Sequence, residues 1–151
     1  MLRLSKKMIF AIEAVVDIAY HSSGQPVQSQ EITRRQNIPR RYLEQALQQL
    51  VRAHVLTGVR GPRGGYNLAR ERRRISVADI VRVVRDLETG TDLDSGTAGS
   101  ELTAKVITPM WQDLQVTMME KLDGISIDDL CTQANGAGVE SEGRQNLDFS
   151  I

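Results

Sequence analysis

Val59-Arg60-Gly61-Pro62-Arg63-Gly64-Gly65-Tyr66 decides how the rest of the chain is read. Strand-like runs over Val55–Arg60 and Tyr66–Leu68 flank a turn rich in Gly and Pro, which predicts a β-hairpin. Gly61, Gly64 and Gly65 permit positive φ and close backbone approach, while Pro62 stiffens the turn. Arg60 and Arg63 put two guanidinium groups at its tip. A stiff cationic tip suits a narrow minor groove or a row of phosphates, where the negative potential favours arginine.

Working back towards the N-terminus, Pro39 to Ala53 has the period of an amphipathic helix. Tyr42, Leu43, Ala46, Leu47, Leu50 and Val51 share one face, and Arg40, Arg41, Glu44, Gln45, Gln48 and Arg52 are left on the other. Asn37 suits a left-handed turn and Pro39 the first turn of the helix that follows. A short helix is expected before that turn, from Ser29 to Gln36, carrying Ile32 inward. Earlier still, Met8, Ile9, Ile12, Val15, Val16 and Ala19 mark a buried first helix capped by Ser5 and ended by Gly24-Gln25-Pro26. Helix, helix pair across a tight turn, then hairpin is the element order of a winged helix-turn-helix. The second helix of such a pair fits a major groove, where Arg matches guanine, Gln matches adenine and Glu accepts from the cytosine amino group.

Towards the C-terminus, Ile75-Ser76-Val77-Ala78-Asp79-Ile80 has the pattern of a capping box with a hydrophobic staple, opening a fourth helix to about Leu87. Residues 88–100 are polar, with Gly90, Gly96, Gly99 and one large apolar residue, Leu93, and are expected to be a linker. Leu102, Val106, Met110, Leu114, Met118 and Leu122 then recur every four residues, widened by Ile107 and Trp111, which predicts a long amphipathic helix. Pro109 either kinks this helix or stands at its start behind Thr108, and the sequence leaves both open. Gly124 ends it, and Ile125-Ser126-Ile127-Asp128-Asp129-Leu130 repeats the capping pattern for a last helix to about Ala134. Residues 135–151 are expected to be a disordered tail. The fold class is mainly α with a small β-hairpin, divided into a winged helix-turn-helix over 1–87, the linker, and dimerisation helices over 101–134.

The formal net charge of zero hides a partition. Residues 1–86 hold 16 Lys and Arg against 7 Asp and Glu, net +9, whereas residues 87–151 hold 3 against 12, net −9. A polyanion would therefore meet the first part only. Arg70, Arg72, Arg73 and Arg74 extend the basic surface and are expected to add phosphate contacts. The single cysteine, Cys131, cannot form an internal disulfide or by itself fill a structural zinc or iron-sulfur site. A buried structural role is expected for it, with redox sensing or an iron-sulfur cluster shared across a dimer as the alternative; His21 and His54 read as packing or surface residues. No apolar run reaches the roughly 20 residues of a membrane span and no secretory leader is recognisable, so the expectation is a cytoplasmic protein. No nucleophile elbow, phosphate-binding glycine loop or metal-binding His pair points to an enzyme.

These residues resemble the Rrf-two family of bacterial transcription regulators over roughly residues 1–134. The resemblance is carried by Leu4-Ser5-Lys6-Lys7, Tyr42-Leu43-Glu44-Gln45, the hairpin from Val59 to Tyr66, and Trp111-Gln112-Asp113-Leu114. It implies a homodimer built on the long helix, through Met110, Trp111, Leu114, Met118 and Leu122, presenting two helices to a pseudo-palindromic operator in double-stranded DNA. It also implies that Tyr42, Glu44, Gln45 and Arg60 lie in the DNA-contacting region, with half-site centres roughly 34 Å apart or a multiple of it. Several members hold an iron-sulfur cluster on three cysteines before the long helix. Here those positions fall near Leu93, near Gly99 and at Lys105; Thr108 replaces a histidine ligand of one member and Met8 an acidic ligand of another. None of these coordinates iron well, so no cofactor is expected. The expected function is a dimeric DNA-binding repressor that answers to a small effector molecule, to a metabolic enzyme, or to redox state through Cys131. The alternative is a protein-interaction module with a purely structural winged helix.

Overall fold

The structure, a computed structural model, describes residues 4–88 and 99–143. Most of the expected linker, including Leu93, and the last residues of the expected tail lie outside them.

Helix α1 (Lys6–His21) is the hub of the core. Its first turn is closed by the Ser5 hydroxyl, which accepts from the Met8 N–H at 3.2 Å. Ala11, Ala14, Val15 and Ile18 are fully buried, and α1 packs on α2 (Ser29–Gln36), α3 (Arg40–Arg52), α4 (Val77–Glu88), α6 (Ile127–Gly136) and strand β2 (Gly65–Leu68). The α2–α3 turn forms as its residue types dictate. Asn37 adopts the left-handed conformation at φ 53°, Ile38 is driven into the core, and Pro39 stands at the N-cap of α3. Leu43, Leu47 and Leu50 bury the inner face of α3.

Strand β1 (Leu56–Val59) pairs antiparallel with β2 in the register Leu56–Leu68, Thr57–Asn67, Gly58–Tyr66 and Val59–Gly65. A third segment joins them: the Val27 N–H donates to the Tyr66 carbonyl at 2.9 Å and the Tyr66 N–H to the Val27 carbonyl at 2.8 Å. This contact demands glycine. A Cβ on Gly65, whose φ is 153°, would stand 2.5 Å from the Val27 carbonyl oxygen, and one on Gly64 would overlap the Val59 carbonyl oxygen.

A single turn of 3-10 helix (Arg72–Arg74) leads to α4. The Asp79 N–H donates to the Ser76 hydroxyl at 3.1 Å, and the Ser76 N–H to the Asp79 carboxylate at 3.0 Å, which completes the capping box the spacing predicts. Ser126 and Asp129 repeat the arrangement at the start of α6, at 3.0 and 2.9 Å. The two helix starts are joined backbone to backbone, Val77 N–H to the Ile125 carbonyl at 2.9 Å and Ile127 N–H to the Ile75 carbonyl at 2.8 Å.

Pro109 neither breaks the long helix nor simply starts it. Backbone at Leu102, Ile107 and Thr108 is right-handed helical, and over Thr103–Ile107 the winding loosens to a π-helix, with the Thr108 N–H reaching back to the Thr103 carbonyl. Helix α5 (Thr108–Asp123) follows with Pro109 in its first turn. Widening the turn before a proline relieves its clash with the carbonyl four residues back.

Two expectations change. Helix α6, grouped by sequence with the dimerisation segment, buries Ile127 and Cys131 in the same core as α1. The chain after α6, expected to fray from residue 135, instead returns to α1 as far as Gly143. Ser141 is buried with its hydroxyl donating to the Tyr20 carbonyl at 2.6 Å, and the Tyr20 hydroxyl donates to the Val139 carbonyl. Partners so distant in sequence leave no periodic signal, and the polar composition of the tail masked them.

Candidate nucleic-acid interface

The buried leucine face of α3 fixes which residues point outward. Arg40, Arg41, Tyr42, Glu44 and Gln45 are all exposed at its N-terminal end. The Arg40 Nε donates to the Glu44 carboxylate at 2.9 Å, one helical turn apart. An exposed pair of this kind holds its side chains weakly, so Arg40 is able to exchange its partner for a base edge or a phosphate and Glu44 for a base amino group.

At the hairpin Arg60, Pro62 and Arg63 are exposed, as is Gly61, while Gly64 is buried and Gly65 half-buried. The turn is closed by the Gly64 N–H donating to the Gly61 carbonyl at 2.9 Å. An open groove lies between it and the start of α2, walled by Gln28, Ser29, Val59, Arg60 and Gly61. Gln28 reaches over it to the Pro62 carbonyl at 3.5 Å, and its own N–H is held by the Glu31 carboxylate at 2.9 Å. The role of Val27 and Gln28 in holding the wing escaped sequence reasoning, because a single bridging residue has no alternation to detect.

Two sets of residues depart from their expected placing. Tyr42, assigned by period to the core face, is 43% exposed and lies against Phe10 of α1, ring centroids 6.2 Å apart, in a second groove shared with Lys7 and Gln45. The structure therefore puts Tyr42 and Gln45 together on one side of α3, in a groove distinct from that of Arg60. Of the basic run, Arg72 is bound to Asp128 of α6 at 2.7 Å, Arg70 to Asp79 at 3.7 Å and Arg73 to Glu71 at 3.5 Å. Arg70 and Arg72 thus tie the 3-10 turn to the starts of α4 and α6 as well as adding positive charge.

Helix α5 has no buried residue. Met110, Trp111, Leu114 and Met118 are between 42% and 50% exposed, Leu102, Val106, Ile107 and Val116 likewise open, and Leu122 is half-buried. Val116 is exposed as well but lies off the four-residue row. So continuous an apolar row on a single helix marks a surface made for burial.

Residues 4–133 match the Rrf2 (Rrf-two) family, described as an iron-dependent transcriptional regulator. The chain belongs to the Rrf2 family. It is 32% identical to the HTH-type transcriptional regulator IscR of Aliivibrio salmonicida over 99% of this chain and 88% of that protein. With IscR of Xenorhabdus nematophila it shares 35% identity over 85% of this chain and 79% of that protein. Among solved structures it resembles T. potens IscR with a TM-score of 0.71 at 33% identity, covering 90% of each chain. The global cysteine regulator CymR of B. subtilis shares the fold with a TM-score of 0.68 at 24% identity, over 88% of this chain and 98% of that one. This Rrf2-family protein is thus a DNA-binding transcription regulator with a winged-helix fold, and not an enzyme.

The iron in the family's description does not fit this chain's donors. Its one cysteine is enclosed in α6, and Lys105 and Thr108, at the positions the resemblance assigns to a cysteine and a histidine ligand, offer neither thiolate nor imidazole. Among the described residues no three His, Cys, Asp or Glu converge on a point where a metal ion could sit. Nor is any helix among them long and apolar enough to cross a membrane.

Proposed function

We propose that this Rrf2-family protein binds a pseudo-palindromic operator as a homodimer in the cytoplasm and represses by occluding the promoter. The observation that carries the proposal is that the polar end of α3, Arg40 to Gln45, and both arginines at the tip of the wing are exposed. In the proposed complex α3 lies in the major groove, with Arg40, Arg41, Tyr42, Glu44 and Gln45 at base edges and flanking phosphates. Arg60 and Arg63, on the turn formed by Gly61, Pro62, Gly64 and Gly65, enter the adjoining minor groove. The apolar row of α5, through Met110, Trp111, Leu114, Met118 and Leu122, meets its copy and so sets the half-site spacing. The acidic second half, net −9 over residues 87–151, leaves a small effector or a partner enzyme a surface separate from DNA.

Selection of duplexes from a random library, followed by footprinting at fixed salt, tests this. The selected site should be two-fold symmetric. Arg60→Ala together with Glu44→Ala should cut its preference over random DNA at least tenfold, since each specific contact contributes about 1–3 kcal/mol. The Arg60 change should also lower the salt dependence by about one counterion. Recovery of no preferred sequence, or unchanged preference in the double variant, would overturn the assignment. A promoter carrying the site should lose transcription in vitro when the protein is added.

A further inference from the structure

The segment after α6 closes over a buried ion network that the DNA-binding surface does not use. Asp17 of α1, its side chain fully buried, receives two hydrogen bonds from Arg35 of α2, at 2.8 and 2.9 Å, and one from Gln36 at 2.8 Å. Glu142 completes the network from outside, bound to Arg35 at 2.6 Å and to Arg34 at 2.9 Å. One carboxylate below and one above thus hold the end of α2, the first helix of the helix-turn-helix. The main-chain N–H of Glu142 donates at 3.1 Å to His21 Nδ1. Gly143 follows so closely that a Cβ there would stand 2.7 Å from the His21 carbonyl oxygen.

We propose that Val139–Gly143 is a strap that fastens α2 to α1 at neutral pH and is released when His21 takes a proton. The fastening needs a lone pair at Nδ1, which only the neutral ring with its proton on Nε2 provides. A proton on Nδ1 sets two donors face to face, Nδ1–H and the Glu142 N–H, and the strap loses its hold on the ring.

The ring is faced by Asp17 from its own helix, with the carboxylate 3.9 Å from Nε2, by Arg34 and Arg35 from α2, and by Glu142 from the strap. Burial disfavours the charged ring, and the two arginines add to this against the pull of Asp17 and Glu142, so His21 protonates below its ordinary value of 6.5. On Glu142 burial opposes the charge, but hydrogen bonds from Arg34 and Arg35 outweigh it and hold the carboxyl below the usual carboxylate range. Both folded-state values are lowered, so both contributions are present at high pH and lost as pH falls, His21 first. Between 6.5 and the lowered value, opening should increase by up to about tenfold per pH unit.

Hydrogen exchange of the full-length protein from about pH 7.5 to about pH 5, corrected for intrinsic rates, tests the strap without DNA. Amides of 139–143 and of the last turn of α2 should lose protection in that window while those of α3 keep theirs. His21→Gln should abolish the pH dependence whether its strap rests open or shut, and Glu142→Gln should raise strap exchange at every pH. A flat profile in the unaltered protein, or the same slope in His21→Gln, would overturn the proposal. A second readout rests on the DNA-binding function proposed above: the ratio of selected-duplex to random-duplex affinity should fall in Glu142→Gln, because α2 loosens and Arg34 and Arg35 lose a counter-charge. If that ratio holds while exchange rises, the strap stands and only its link to DNA selectivity falls.

Discussion

Cys131 illustrates how environment sets the chemistry of a single residue. Burial in α6 pushes its thiol up from the ordinary value, against the opposing charge of Arg72. The protonated thiol is a poor nucleophile. In the native protein at neutral pH it should react with a disulfide reagent at least about tenfold more slowly than in denaturant, as absorbance of the released thiolate would report. Equal rates would mean that the site opens freely. Gly65 is constrained by geometry rather than charge. Gly65→Ala puts a Cβ against the Val27 carbonyl at a φ that L residues rarely adopt, which should cost about 1–3 kcal/mol and lower the melting temperature by several degrees. The sequence marks the flexible turn at Gly64-Gly65 but not its reason. That reason is Val27, which approaches from a segment some forty positions earlier.

Single elements were legible where one period or one capping pattern governs them. Leu43, Leu47 and Leu50 define the inner face of α3, and Ser76 with Asp79 and Ser126 with Asp129 start their helices where the spacing predicts. Tyr42 departs from its period because Phe10 offers an aromatic neighbour at the edge of the core, so the ring stays partly in water. Pro109 was ambiguous because a proline's local cost admits two remedies, and the π turns before it are a third. Helix α5 carries an apolar row that, among the described residues, is left largely exposed. Leu114→Glu combined with Met110→Asp should give a monomer by light scattering with an unchanged helical spectrum; loss of helix instead would mean that α5 is needed for folding. A retained dimer would place the subunit contact elsewhere.

At the scale of the whole molecule, the order of elements from α1 to the wing follows from local patterns, and the return of the chain does not. Ser141, Glu142 and Gly143 look like polar tail residues until Tyr20, His21, Arg34 and Arg35 are brought under them. Charge partition was visible in the totals, but Arg72–Asp128 shows the two halves also neutralising each other where α6 meets the 3-10 turn. The backbone pairing of Ile75 and Val77 with Ile125 and Ile127 closes the chain on itself at the foot of the arm. Among the described residues, the stretch from Thr103 to Asp123 therefore stands between α4 and α6 without adding a buried residue to the core they share. An insertion of whole turns in α5 would displace its outer end by about 5.4 Å each without touching α3 or the wing. In the proposed homodimer, that clasp would let the distance between two DNA-reading heads be retuned independently of what each head reads.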